Sequence, residues 1–154
     1  MKALEMKYGR SPRIMAAALE LKGPYAGIGK AFLELKGLMD AGGIEQAGKP
    51  FALFYDNPTE KQAADLVSEV CIPVSREFES MGRFRFKVLE AAEVAETRHT
   101  GTPESYTETY GLFLESLLKE GFRLAGPTRE FFESPSAEAA PGRGFLIQQP
   151  VKKS

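Results

Sequence analysis

The sequence is similar to itself. Laying Lys22-Gly23-Pro24-Tyr25 over Thr100-Gly101-Thr102-Pro103 sets an offset of 78 residues. At that offset Ile28 meets Tyr106, Phe32 meets Tyr110, Leu35 meets Phe113 and Met39 meets Leu117, while Gly43 and Gly48 meet Gly121 and Gly126. After a one-residue gap, an offset of 77 lays Phe54-Tyr55-Asp56-Asn57-Pro58 over Phe131-Phe132-Glu133-Ser134-Pro135, and Pro73-Val74 over Pro150-Val151. Two copies are too few for a solenoid, and each is longer than a solenoid repeat. The expectation is one pseudo-two-fold domain over residues 1–154, with copy one at about 1–75 and copy two at about 82–152. The groove between two such copies is a favoured place for a ligand.

Periodicity defines each copy. Met15, Ala17, Leu19 and Leu21 alternate with Glu20 and Lys22 near the end, which predicts a strand with one buried face; Gly23-Pro24 stops it. From Ala26 the period changes: Ile28, Phe32, Leu35 and Met39 make one helical stripe, ended at Ala41-Gly42-Gly43. Residues 51–55 and 66–74 predict two more strands, and 4–8 supplies a first strand for copy one, with Ser11-Pro12 as its turn. Copy two follows the same order. Residues 84–89 and 94–100 read as a strand pair; Tyr106, Tyr110, Phe113, Leu114, Leu117 and Leu118 mark a helix; 129–133 and 144–151 are the last strands. Between those two, Ser134 to Arg143 reads as a mobile loop. The tally is eight strands and two helices, ββαββ twice, an α+β fold with an antiparallel sheet.

Composition excludes several function classes. Twenty basic against 21 acidic residues leaves a net charge of −1, without the basic surplus of a phosphate-gripping domain, so no nucleic-acid partner is expected. No apolar run spans a bilayer and charges interrupt the first residues, so neither membrane nor leader is expected and the simplest address is cytoplasmic. One cysteine, Cys71, and one histidine, His99, make neither an internal disulfide nor a zinc site. Neither a metal nor a cofactor is expected. Gly27-Ile28-Gly29-Lys30 lacks the spacing of a phosphate loop.

Five segments, in order along the chain, resemble the GyrI-like small-molecule-binding family, whose module also forms the effector-binding domain of bacterial multidrug-responsive transcription activators. They are Gly23-Pro24-Tyr25 before a helix, Phe54-Tyr55-Asp56-Asn57-Pro58, Val70-Cys71-Ile72-Pro73-Val74, Arg98-His99-Thr100-Gly101 and Glu130-Phe131-Phe132. The resemblance implies a duplicated strand-helix-strand-strand unit, in which a curved antiparallel sheet of about eight strands and two helices enclose a central cleft for bulky, often cationic, aromatic compounds. It also implies a buried glutamate at the cleft floor two residues before an aromatic, which falls on Glu130 and Phe132. The sequence departs from the family at the start of the second helix, one residue out of step, and near Leu146 and Gln148, where an acid and an aromatic are often found. No helix-turn-helix segment is legible, so a stand-alone member is expected.

The candidate ligand-binding residues are therefore Glu130, Phe132, Tyr55, Tyr25, Tyr106 and Glu69. Glu130 is either an edge-strand acid facing water or a cleft carboxylate that attracts a cation or moves a proton. At the offset of 77 its mate is Leu53, and Phe132 has Tyr55 as its mate. Aromatic walls hold flat ligands by stacking and cations by their ring faces. Tyr25 and Tyr106 stand at the two helix starts, as rim contacts or as packing. Glu69 shares a strand face with Cys71 and is a second cleft acid if that face points inward. No spacing links Cys71 to His99 as a catalytic pair. The leading expectation is a small-molecule-binding protein. The alternatives are a hydrolase of cyclopropane-containing DNA-alkylating natural products, with Glu130 as acid/base and Tyr55 polarising the substrate, and a protein inhibitor of DNA gyrase. A homodimer through a sheet edge or cleft mouth stays open.

Overall fold

A computed structural model describes residues 4–56, 60–100, 106–133 and 144–153, and for Tyr106 the backbone alone. Among them the chain forms nine strands and two α-helices. In order these are β1 (Lys7–Ser11), β2 (Ile14–Lys22), α1 (Ile28–Ala41), β3 (Phe51–Phe54), β4 (Val67–Pro73), β5 (Phe84–Leu89), β6 (Ala92–His99), α2 (Tyr106–Lys119), β7 (Phe122–Leu124), β8 (Thr128–Phe131) and β9 (Phe145–Lys153). Every strand pair is antiparallel, in the order β1-β6-β9-β8-β3-β4-β2-β5, with β7 against the end of β9. The α+β class, the antiparallel sheet and the two helices agree with the sequence reading. Strand β7 is the addition: three residues after a glycine turn are too few to show alternation.

The helices repeat at the offset of 78, each 14 residues long. Phe32, Leu35 and Met39 of α1 are fully buried, as are Phe113 and Leu117 of α2. Burying each such side chain is worth about 1.5–3 kcal/mol, which offsets the poor propensity of a helix with two internal glycines. Both helices end on a glycine with positive φ, Gly43 at 67° and Gly121 at 84°, a conformation that costs other residues Cβ strain. The apolar stripes lie on one face of the sheet: α1 against Ala17, Leu19, Ala52, Val70 and Ile72, and α2 against Ala95, Ile147 and Val151.

The opposite face is buried too. Ala16, Ala18, Phe51, Leu53 and Cys71 are at most 2% exposed there without a helix above them. Chain connectivity accounts for this. Only Pro12 and Arg13 separate β1 from β2, and three Cα–Cα steps reach at most about 11 Å. In a flat sheet six strand spacings, about 29 Å, would separate those strands. Glu90 and Ala91 impose the same constraint between β5 and β6. The sheet therefore curls until its two edges approach, and its helix-free side becomes a concave interior.

The pairing corrects one expectation. β1 does not complete the first copy, and β5 and β6 are not a pair: β1 adds to β6 and β5 adds to β2. β2 already has β4 on its other edge, so once β5 is in place no edge remains for β1. The strand also sits later than expected. Leu4 and Met6, at the start of the expected strand, pack with α2 instead, and the Thr97 hydroxyl donates to the Glu5 carbonyl at 2.6 Å. The expected loop at Ser134 to Arg143 lies outside the described residues.

Candidate functional site

Strand β8 sits at the middle of the sheet, between β3 and β9. Glu130 faces the helices there, opposite Ala52 on one side and Ile147 on the other, and is 4% exposed. A carboxylate between two aliphatic neighbours is costly without hydrogen bonds. The Tyr110 hydroxyl, from α2, donates to its Oε2 at 2.9 Å. Tyr25, in a short 3-10 turn before α1, stands edge-on to Phe54 at 4.7 Å between centroids. Its hydroxyl donates to the Asp56 carbonyl at 2.6 Å. Burial pushes its phenol up, and the negative charge of Glu130 adds to that rise.

Phe132 follows two residues after Glu130 and is buried against Phe32 from α1 and Phe145 from β9, at 5.8 and 5.6 Å. Phe145 also lies 5.1 Å from the His99 ring, whose Nδ1 is 2.9 Å from the Thr109 hydroxyl. Ser68, buried on the same sheet face between Leu21 and Phe54, has a hydroxyl without a hydrogen-bond partner among the described residues. The helix side of the central sheet thus gathers one buried carboxylate, tyrosines from both helix regions and a wall of phenylalanines.

The other candidates separate from this group. Tyr55 and Glu69 lie on the concave face. Glu69 Oε1 accepts from the Tyr55 hydroxyl at 2.7 Å and from Lys87 Nζ at 2.6 Å. Lys87 projects from β5 and crosses β2 to reach β4, over the small side chains of Ala16 and Ala18. Burial pushes the Tyr55 phenol up to about 12, and the Glu69 hydrogen bond and charge add to this. For Lys87, burial opposes the charge, but hydrogen bonds to Glu69 and Tyr55 hold the ammonium above its usual range. These residues line a cavity of about 370 Å³ together with Glu20, Val67, Arg85 and Phe86. A cavity of about 430 Å³ between Arg13, Lys49, Pro73 and Phe131 includes none of the candidates. The Tyr106 side chain lies outside the described structure.

A one-residue error in register explains the split. Leu53 is paired with Arg129 and Glu69, on the face away from Glu130, so it is not the counterpart of Glu130. Faces are preserved only if Ala52 corresponds to Glu130 and Phe54 to Phe132, an offset of 78 rather than 77, because each residue along a strand switches sides. The gap belongs after β3. Matching contacts agree: the Ala47 and Ala125 amides donate to the Pro73 and Pro150 carbonyls at 2.8 and 2.9 Å. Cys71 and His99 also lie on opposite faces, and burial pushes the Cys71 thiol well up, so no nucleophilic pair forms.

Sequence reasoning missed Tyr110 as the partner of Glu130. The signal was its place as mate of Phe32, a polar-tipped residue in an apolar stripe. Among the described residues no three His, Cys, Asp or Glu side chains cluster for a metal, and no helix is long and apolar enough to cross a membrane.

The fold is similar to the C-terminal domain of EcmrR at a TM-score of 0.83, with 19% identity over 98% of this chain and 99% of that one. Against the longer EcmrR chain in a complex with DNA it covers 58% of that chain. A hydrolase from Listeria innocua superposes at 0.65 with 12% identity, over 97% of this chain and 93% of that one. SAV2435 bound to tetraphenylphosphonium superposes at 0.62 with 9% identity, over 97% and 94%. Among curated proteins none matches the sequence. The GyrI-like small molecule binding domain matches residues 10–143, which take in β2 to β8 and both helices, and the chain belongs to that family.

Proposed function

We propose that the protein captures bulky aromatic cations on the helix side of the sheet, with Glu130 as the carboxylate that selects positive charge. The observation that carries this reading is the burial of Glu130, bonded to Tyr110, beside Phe132 and near Tyr25. Low dielectric strengthens the pull of a carboxylate on a cation, and aromatic rings attract cations through their faces. A similar fold, SAV2435, has tetraphenylphosphonium bound, a ligand of this class.

Calorimetric titration with tetraphenylphosphonium, and with neutral triphenylphosphine oxide, tests the proposal. Glu130→Gln keeps the shape and removes the charge. Tetraphenylphosphonium has no hydrogen-bond donor, so its attraction to Glu130 is Coulombic: about 2–3 kcal/mol at roughly 6–8 Å and an effective dielectric of about 20, and the cation should bind roughly 30- to 100-fold more weakly while the neutral compound is little affected. Equal affinity of both proteins for the cation overturns the assignment. The Tyr110–Glu130 pair also suits acid-base chemistry, which keeps hydrolysis of cyclopropane-bearing alkylators as the second reading. Multiple turnovers detected by mass spectrometry, abolished in Glu130→Gln, distinguish it. Tyr55 does not polarise a substrate at Glu130, since its hydroxyl lies across the sheet beside Glu69.

A further inference from the structure

The concave interior holds a second charge that the ligand site does not use. Arg129, next to Glu130 on β8, points to the opposite face and is only 6% exposed. One end of its guanidinium is engaged: Nη1 donates to the Ser11 hydroxyl at 3.1 Å and to Gln148 Oε1 at 2.7 Å. Ser11 comes from the end of β1, three strands away, so the curl of the sheet makes this contact. The other edge is idle among the described residues: Nε is buried without a hydrogen-bond partner, and the hydrogen bonds of the guanidinium run from Nη1, none from Nη2. Those two nitrogens form the fork that holds a carboxylate side-on.

No carboxylate of the chain fills that role among the described residues. The nearer acids are already committed: Glu96 accepts from Gln148 Nε2 at 2.7 Å, and Glu69 accepts from Lys87 and Tyr55. The remaining surroundings are apolar or neutral, namely Leu53, Phe131 and the protonated Cys71 thiol. Burial accordingly pulls the guanidinium below its usual pKa with no carboxylate to restore it. Gln148 is oriented for this arrangement, its amide giving its hydrogen to Glu96 and its oxygen to Arg129. A buried, unpaired cation with a free bidentate edge is otherwise hard to account for in an interior.

We infer that the Nε–Nη2 edge of Arg129 is a binding site for a small planar carboxylate, of the size of acetate, inside the concave face. It lies across the sheet from Glu130 and does not depend on the proposed capture of cations. Binding forms two N–H···O hydrogen bonds and neutralises the guanidinium; no covalent step is involved.

The buried Nε–H should give its own protected cross-peak in a proton–nitrogen correlation spectrum. We would titrate the uniformly labelled protein with sodium acetate, holding ionic strength with a bulky sulfonate salt. The expected result is a saturable shift of the Arg129 Nε–H signal, together with a melting temperature that rises with acetate by mass action. Arg129→Met should lose the acetate dependence and should melt no lower than the wild type in acetate-free buffer. A signal that does not move, a linear drift without saturation, or an equal melting response in Arg129→Met overturns the inference. A response to chloride but not to acetate overturns the carboxylate assignment. If Arg129→Met does not fold, the wild-type titration decides alone.

Discussion

Removing Lys87 should expose how the concave face is held. Its ammonium lies 2.6 Å from Glu69 Oε1 and 2.9 Å from the Tyr55 hydroxyl, with side-chain exposures of 31% for Lys87 and 9% for Glu69. Breaking a fully buried ion pair by deleting one partner costs about 3–5 kcal/mol. Lys87 retains some contact with water, and Tyr55 still donates to Glu69, so about 2 kcal/mol is the expected loss for Lys87→Met. At this chain length that corresponds to roughly 4–8 °C in melting temperature. Glu69→Leu alone should cost a similar amount, because it strands the cation. The double variant leaves no charge to satisfy and should regain most of the loss. Urea unfolding of all four proteins at pH 7 closes a double-mutant cycle, with an expected coupling above about 1 kcal/mol. If the two losses simply add, the pair is a solvated contact and the reasoning fails.

The same cluster sets an alkaline limit. The folded-state pKa of Tyr55 is raised to about 12 from 10.0, so the folded form holds its proton more tightly than the unfolded chain. Its stabilisation is complete below pH 10 and is lost as pH climbs toward 12. With Tyr55 43% exposed the loss is about 1 kcal/mol at most, and Tyr55→Phe should flatten that part of the profile. Unfolding at pH 9 and 11 measures it; identical slopes for both proteins would count against the burial of this hydroxyl. A third expectation concerns the matched glycines. A Cβ on Gly48 would meet Pro73 at 3.1 Å, whereas one on Gly126 would meet Pro150 at an ordinary 3.4 Å. Gly48→Ala should therefore be the less stable of the two by about 1 kcal/mol, read as a difference in urea midpoint.

Elements with a long period are legible in the sequence itself. The stripe Ile28-Phe32-Leu35-Met39 and its mate around Phe113 and Leu117 placed both helices, because a helical face repeats over many residues and tolerates small errors. Faces within short strands were less legible. β3 and β8 have four residues each, and a single misplaced gap moved Leu53 and Tyr55 to the wrong side. Glu130 and Phe132 stood out because they are two residues apart, one on β8 and one just past its end, and carry a family pattern. Tyr110, Lys87 and Arg129 gained their meaning only from strand order. Lys87 meets Glu69 across an intervening strand, and no spacing along the chain encodes that contact.

The exchange of edge strands also has a cost in time. Ser11 on β1 bonds to Ala92, 81 residues later, and Thr97 reaches back 92 residues to Glu5. Contacts this distant in sequence slow folding, because a long loop must close before they are made. During synthesis at about 5–20 residues per second, β1 would wait roughly 4–16 s before β6 exists to receive it. Meanwhile Leu4 and Met6 have no α2 to cover them. Strand β1 is thus made well before β6 yet is among the last to find its place, and the nascent chain is most exposed to mispairing while that strand waits.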